Sequence, residues 1–312
     1  MKVGIVGAGN WGSNLVKTFD ELGALRAVVD TNASMIEQCR YLYPYAMVGD
    51  DYETMLADNE VAAVVIATPA QTHYGLARAA LLAGKDVFVE KPFTQSFIQA
   101  EELVSLAEKN GRILMVGYLL LYQPAIKWIK QCLESGAIGT VRILHQERLK
   151  LGRVRSVENV LWNFGVHDIA VLLYLAGEQP QKITVKGQQI IQPQIADNVY
   201  LHMEFENNLH VHLHVSWLWP EQRRSLIVVG TQAMLTYDEL EQTVTLHRKG
   251  IASGLANVDQ GSEIVFKGSS KPLSLECQHF LEAIAGRNTP RSDGRSALAV
   301  IRILEEASSE LN

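Results

Sequence analysis

The sequence predicts two domains of different class: an α/β domain built on a parallel, Rossmann-type sheet, then an α+β domain with a large, mainly antiparallel, open-faced sheet. Three observations carry that expectation. A β-type run at the start opens into a glycine-rich turn and then a helical periodicity. Apolar runs and helical stretches then take turns as far as Gly117, the pattern of a parallel sheet covered on both faces. Beyond residue 140 long β segments follow one another, several joined by short turns such as Glu206-Asn207-Asn208. The boundary is placed at Gly117, giving residues 1–117 and 118–312.

A chain of 312 residues can bury two cores. With 28 Lys and Arg against 34 Asp and Glu, a net charge of -6 and no basic tail, nucleic acid is not an expected partner. Cys39, Cys132 and Cys277 lack CxxC spacing, which argues against a disulfide framework or a zinc site and for a reducing compartment. No apolar run approaches the ~20 residues that span a bilayer, and Met1-Lys2-Val3-Gly4 does not open a signal peptide. The expectation is a soluble, cytoplasmic protein with no membrane partner.

Taken in order, residues 2–6 form a strand that runs into Gly7-Ala8-Gly9-Asn10-Trp11-Gly12, with a helix from Ser13. In that context the first glycine permits the turn, the second lets backbone approach a pyrophosphate, and the third lets helix pack on strand. The anion then sits at the helix N-terminus, where free N–H groups and the helix dipole favour it. A second strand, residues 25–30, ends in Asp30, 18 positions after Gly12. A carboxylate there accepts hydrogen bonds from ribose hydroxyls and repels a 2'-phosphate, so the expected cofactor is NAD rather than NADP. Arg26 precedes the end of that strand, and the next arginine is Arg40. The alternative is that Asp30 caps the helix beginning at Thr31-Asn32-Ala33-Ser34.

Residues 61–67 read as a central parallel strand, leading to Thr68 and Pro69 beside the cofactor and to His73 as a further cofactor neighbour. The next strand, Val87-Phe88-Val89, delivers Glu90 and Lys91 to its own end, and Pro92 stops it from continuing. Ligands of open α/β sheets sit at such strand ends, which makes Lys91 the first candidate for chemistry. A helix over residues 96–109 and a strand over 112–116 complete the first domain.

In the second half, residues 123–135 read as a helix stopped by Gly136, and 141–151, 182–191, 199–205, 209–217, 225–230, 233–237 and 243–247 as strands. Residues 249–262, rich in glycine and serine, read as a surface loop, and 273–285 and 296–308 as closing helices. One helix interrupts the strands, from Asn163 through His167 and Asp168 to Gly177. Asn163 and His167 are four apart and share a face on a helical turn. Histidine, with an unperturbed pKa of ~6.5, suits removal of a hydroxyl proton; the alternative is a ring that hydrogen-bonds to backbone in a buried helix. His210, His212 and His214 alternate along one strand, about 7 Å apart and too far from one another to converge on one metal ion. They read as the outer face of the open sheet, a subunit interface that Trp217 and Trp219 also suit, while Leu209, Val211, Leu213 and Val215 read as core.

Gly7 to Gly12, Asp30, Thr68-Pro69 with His73, Glu90-Lys91-Pro92 and the His167-Asp168 helix, in that order, resemble the Gfo/Idh/MocA family of NAD(P)-dependent sugar oxidoreductases. The resemblance covers nearly the whole chain. It implies a cofactor domain joined to an open-faced sheet, with Lys91 and His167 as the catalytic pair. Two positions depart from the family. Asn163 stands where many members have an aspartate; an amide takes no proton, so His167 is the expected base and Asn163 orients substrate. The segment from Tyr118 to Pro124 lacks the arginine pair of many polyol-oxidising members.

Within the family, residues 117–124, 148–155 and 159–162 look most like the UDP-N-acetylglucosamine 3-dehydrogenases. That resemblance implies oxidation of a nucleotide sugar's 3-hydroxyl ahead of an aminotransferase serving lipid A, with Tyr118, Lys91, Asn163 and His167 at the sugar. Arg148, Arg153 and Arg155 are candidates for the diphosphate, since guanidinium groups bind it through paired hydrogen bonds. Arg153 and Arg155 share a face if their strand continues; the alternative is a solvated strand edge. A dimer or tetramer through the open sheet is expected. Reduction of a keto sugar, oxidation of a free polyol and a non-catalytic NAD-dependent sensor stay open as alternatives.

Overall fold

The computed structural model describes residues 1–268 and 271–311. The chain divides into two compact units, one of Met1–Leu119 with Lys271–Ile301 and one of Leu120–Ser270 with Arg302–Asn312. The chain therefore returns to the first unit after building the second, a crossing that a single boundary at Gly117 does not include.

The first unit alternates without exception through β1 (Val3–Val6), α1 (Gly12–Glu21), β2 (Leu25–Val29), α2 (Ala33–Leu42), β3 (Met47–Gly49), α3 (Tyr52–Ala57), β4 (Ala63–Ile66), α4 (Ala70–Leu82), β5 (Asp86–Glu90), α5 (Phe97–Lys109) and β6 (Leu114–Gly117). Its sheet runs β3-β2-β1-β4-β5-β6, every neighbouring pair parallel. All residues of β1, β4, β5 and β6 are buried, which is why these strands read as apolar runs, broken only by Asp86 and Glu90 at the two ends of β5. The strand order turns back between β1 and β4, the place where doubly wound sheets open a crevice for ligand.

The second unit begins with α6 (Pro124–Glu134) and β7 (Val141–Leu149). A π-helical turn (Leu161–Gly165) leads into α7 (Val166–Ala176), and then come β8 (Lys182–Gln188), β9 (Asn198–Glu204), β10 (His210–Ser216), β11 (Arg223–Gly230), β12 (Met234–Asp238), β13 (Thr243–Ile251) and β14 (Asn257–Lys267). Eight strands form one sheet, β14-β13-β12-β11-β7-β10-β9-β8, antiparallel except where β7 meets β10. Ile169 and Leu172 of α7 and Val211, Leu213 and Val215 of β10 are buried in its core. The last two helices are α8 (Pro272–Gly286), in the first unit, and α9 (Gly294–Leu311), which passes from the first unit into the second.

Three expectations are corrected. Residues 249–262 are not a surface loop: β13 extends to Ile251 and pairs antiparallel with β14. Asn257 to Ile264 are all exposed, so this hairpin rests on backbone pairing and shows no alternation of apolar and polar residues to read. Trp217 is fully buried, edge-on to Phe164 with ring centroids 6.4 Å apart, so it is core rather than interface. His214 is also buried, stacked on Tyr200 at 3.9 Å and bonded to Asn198 at 2.8 Å, whereas His210 and His212 are half-buried beside His202.

Candidate active site

In the first unit the glycine turn is shaped by its own backbone. Gly7 has φ +90°, and a Cβ there would lie 2.8 Å from the Ala67 carbonyl oxygen; on Gly12 it would lie 1.9 Å from that of Gly7. Neither position accepts a side chain. At Gly9 a Cβ would meet nothing within 4 Å, which leaves open space over the N-terminus of α1, where Asn10 and Trp11 are exposed. Backbone kept bare beside free helix N–H groups fits a bound pyrophosphate. Asp30 accepts from Ala8 N at 2.6 Å and from Asn32 N at 2.8 Å, so one carboxylate fixes both the glycine turn and the entry to α2.

A cavity of about 460 Å³ opens beside this turn, lined by Gly7, Gly9, Asp30, Asp50, Tyr52, Thr68 and Pro69 among others, with no Lys or Arg among its described lining residues. Arg26 is engaged elsewhere, 3.0 Å from both Asp58 and Glu60. A second acid, Asp50, and the ring of Tyr52 were not found from the sequence. They follow β3, a three-residue strand too short to show a period, and that strand is the signal which would have placed them.

Farther along the same strand ends, Lys91 follows β5 and is half-buried. Glu90 is buried; its carboxylate accepts from the Trp11 indole and, at 3.2 Å, from the Lys91 backbone N–H. Burial lifts its pKa to about 7 against the opposing pull of Trp11 and Lys91. His73 is buried with one ring nitrogen 2.8 Å from the Pro92 carbonyl oxygen and the other 2.8 Å from that of Thr68. It straps the end of β4 to the segment after Lys91, and burial lowers its pKa although both carbonyls favour the charged ring. Tyr118, next after β6, is buried, with no hydrogen-bond partner for its hydroxyl among the described residues. Burial raises its pKa.

In the second unit His167 is half-buried in the first turn of α7, directly after the π-turn, a form of helix often found at functional sites. Asn163 lies within that turn, its amide nitrogen donating to Glu158 at 2.8 Å and its oxygen accepting from Trp217 at 3.4 Å. Asn163 is thus held to the protein frame. Arg148 corrects the sequence reading. It is buried, clasped by Asp168 at 2.7 and 2.9 Å and by Glu239 at 2.7 and 3.2 Å, and is not available to a diphosphate. Burial disfavours the Glu239 carboxylate, but Arg148 and Arg224 outweigh it and hold its pKa below the usual range. Because β7 ends at Leu149, Arg153 and Arg155 do not share a strand face. Both are exposed in the connection that follows, Arg155 lying 3.8 Å from Glu158. Among the described residues no group of three or more His, Cys, Asp or Glu is arranged to hold a metal ion, and no helix is long and apolar enough to cross a membrane.

A parallel six-stranded sheet with a bare glycine turn and an acid after its second strand defines a dinucleotide-binding domain, here followed by a large open sheet. The chain belongs to the GFO/IDH/MocA oxidoreductases: residues 1–118 match the oxidoreductase family's NAD-binding Rossmann fold and residues 126–236 its C-terminal domain. Its cofactor is NAD. Over 308 residues it is 27% identical to the UDP-N-acetylglucosamine 3-dehydrogenase of Acidithiobacillus ferrooxidans, covering 96% of this chain and 94% of that one. A solved structure of that enzyme from the same organism matches with a TM-score of 0.88 at 25% identity, over 100% of this chain and 97% of that one. An oxidoreductase from Agrobacterium radiobacter, solved with NAD+, L-tartaric acid and magnesium, shares the fold with a TM-score of 0.84 at 18% identity, over 99% of this chain and 96% of that one.

Proposed function

We propose that the protein oxidises the 3-hydroxyl of a nucleotide-linked sugar, UDP-N-acetylglucosamine first among candidates. The observation that carries this reading is the reach of the likeness to UDP-N-acetylglucosamine 3-dehydrogenase, which extends through the second unit as well as the cofactor domain. NAD, when bound, supplies the hydride acceptor. The bare turn around Gly9 admits the pyrophosphate, and Asp30 with Asp50 favours a plain ribose over a phosphorylated one. His167 takes the hydroxyl proton. Lys91 donates to the developing oxyanion, a role worth about 3 kcal/mol for one preorganised donor. Asn163, fixed by Glu158 and Trp217, holds the turn that leads to His167, and Arg153 and Arg155, both exposed, receive the diphosphate. The 3-keto product suits an aminotransferase as the next enzyme, and the open face around His202 and His212 serves as the contact between copies of a homo-oligomer.

The test is NADH formation followed by absorbance, with UDP-N-acetylglucosamine, other nucleotide sugars and free polyols as separate substrates. An aminotransferase with glutamate removes the keto sugar and keeps an unfavourable equilibrium from masking turnover. Turnover confined to the UDP sugar, and lost in both Lys91→Ala and His167→Ala, is the expected result. Turnover of polyols alone would overturn the substrate, and full activity in either variant would overturn that residue's role.

A further inference from the structure

Along β5 the side chains of Asp86, Phe88 and Glu90 point to one face. Asp86 binds Arg287, just past the end of α8, at 2.8 Å, and Phe88 meets Phe280 of α8 edge-on with ring centroids 5.6 Å apart. The helix therefore runs antiparallel to the strand in this row. One further step of two residues along the strand advances about 6.7 Å, and four residues back along the helix about 6 Å. That step pairs Glu90 with Glu276.

The two acids are unequally provided for. Glu90 accepts from the Trp11 indole and from the Lys91 N–H. Glu276 is 0% exposed, and neither of its carboxyl oxygens has a hydrogen-bond partner among the described residues. A buried carboxylate without donors carries its full desolvation penalty, and a second negative charge beside the first adds repulsion. We infer that Glu90 and Glu276 form a carboxyl pair behind Lys91, in which Glu276 holds the proton and Glu90 presents the charge that Lys91 meets. Glu276 is then a positioning residue for the Lys91 end of β5, whatever substrate the enzyme takes. Burial first, and then the charge on Glu90, push the pKa of Glu276 well above the carboxylate range. The other charged or titratable groups of this row are Lys91, Cys277 beside Glu276, and Asp86 with Arg287; the glycine turn brings the Trp11 indole and β6 the backbone of Gly117, where a Cβ would lie 2.9 Å from Glu90.

The test uses the full chain without substrate. At about pH 8 the infrared carbonyl stretch of a protonated carboxyl is expected in the wild type and in Glu90→Gln, and is expected to vanish in Glu276→Gln. Glu276 has a folded pKa raised above its reference of 4.5, so its contribution to stability is full below that value and is lost as pH rises through the folded pKa. The melting temperature of Glu276→Gln should therefore gain on the wild type between about pH 5 and pH 8. A band that survives in Glu276→Gln, or a melting-temperature gap that stays flat or reverses over that interval, would overturn the pair.

Discussion

The indole nitrogen of Trp11 donates to the carboxylate of Glu90, a bond across 79 positions that ties the glycine turn to the strand carrying Lys91. The glycine turn and the strand end that carries Lys91 are thereby held by one contact inside the first unit. Trp11→Phe keeps the ring and removes the donor. It is expected to lower stability by ~1–3 kcal/mol, the consequence of taking a hydrogen bond from a buried group, and to weaken NAD binding several-fold. Urea unfolding and NAD titration check this; unchanged affinity for NAD would detach Trp11 from the cradle.

Asp30 does two jobs, accepting from Ala8 N and Asn32 N while lining the cavity beside the glycine turn. Asp30→Asn retains an acceptor oxygen but removes the charge. The ratio of NADP to NAD affinity should rise at least about tenfold, equivalent to ~1.4 kcal/mol. Equal losses for both cofactors would mean that Asp30 shapes the turn without selecting the cofactor.

His73 faces two carbonyls, yet a neutral ring donates to only one of them. Its folded pKa lies below the reference of 6.5, so the stability contributed by the neutral strap is present above about that pH and is lost as pH falls through the folded value. Compared with His73→Gln, the wild type should hold its full melting-temperature advantage at about pH 7.5 and lose part of it by about pH 5. A constant advantage would show that the ring does not change charge there.

Arg148 holds Asp168 and Glu239 together directly beside the chain position of His167. Arg148→Met leaves two buried acids without that cation, a change that typically costs about 3–5 kcal/mol. A loss of that size in urea unfolding, with a lower kcat, is expected. A loss below about 1 kcal/mol, the range of a surface pair, would contradict the buried clasp.

How far the sequence could be read follows from what each feature depends on. The strands of the first unit announce themselves because burial on both faces demands apolar residues throughout, and the glycine turn because bare backbone is a sequence requirement at Gly7 and Gly12. The far half of β13 and the whole of β14 were hidden because the exposed residues from Asn257 to Ile264 place no demand on side-chain type. Arg148 was misread because its partners stand 20 and 91 positions away, and at the sequence level a buried clasp and a phosphate ligand look alike. Glu276 was invisible for the same reason: an acid in a helix reads as solvent-facing until the strand it packs on is known. The place of Lys91, just past the end of a buried strand and followed by proline, was the most legible feature of the proposed site.

The most direct measurement of the central claim is isotopic. UDP-N-acetylglucosamine carrying deuterium at carbon 3 should deliver that deuterium to NAD, with a primary isotope effect on turnover, while deuterium at carbon 4 stays in the sugar. Reduced cofactor free of deuterium from carbon 3, formed at an undiminished rate, would show that the enzyme oxidises another position and would contradict the account.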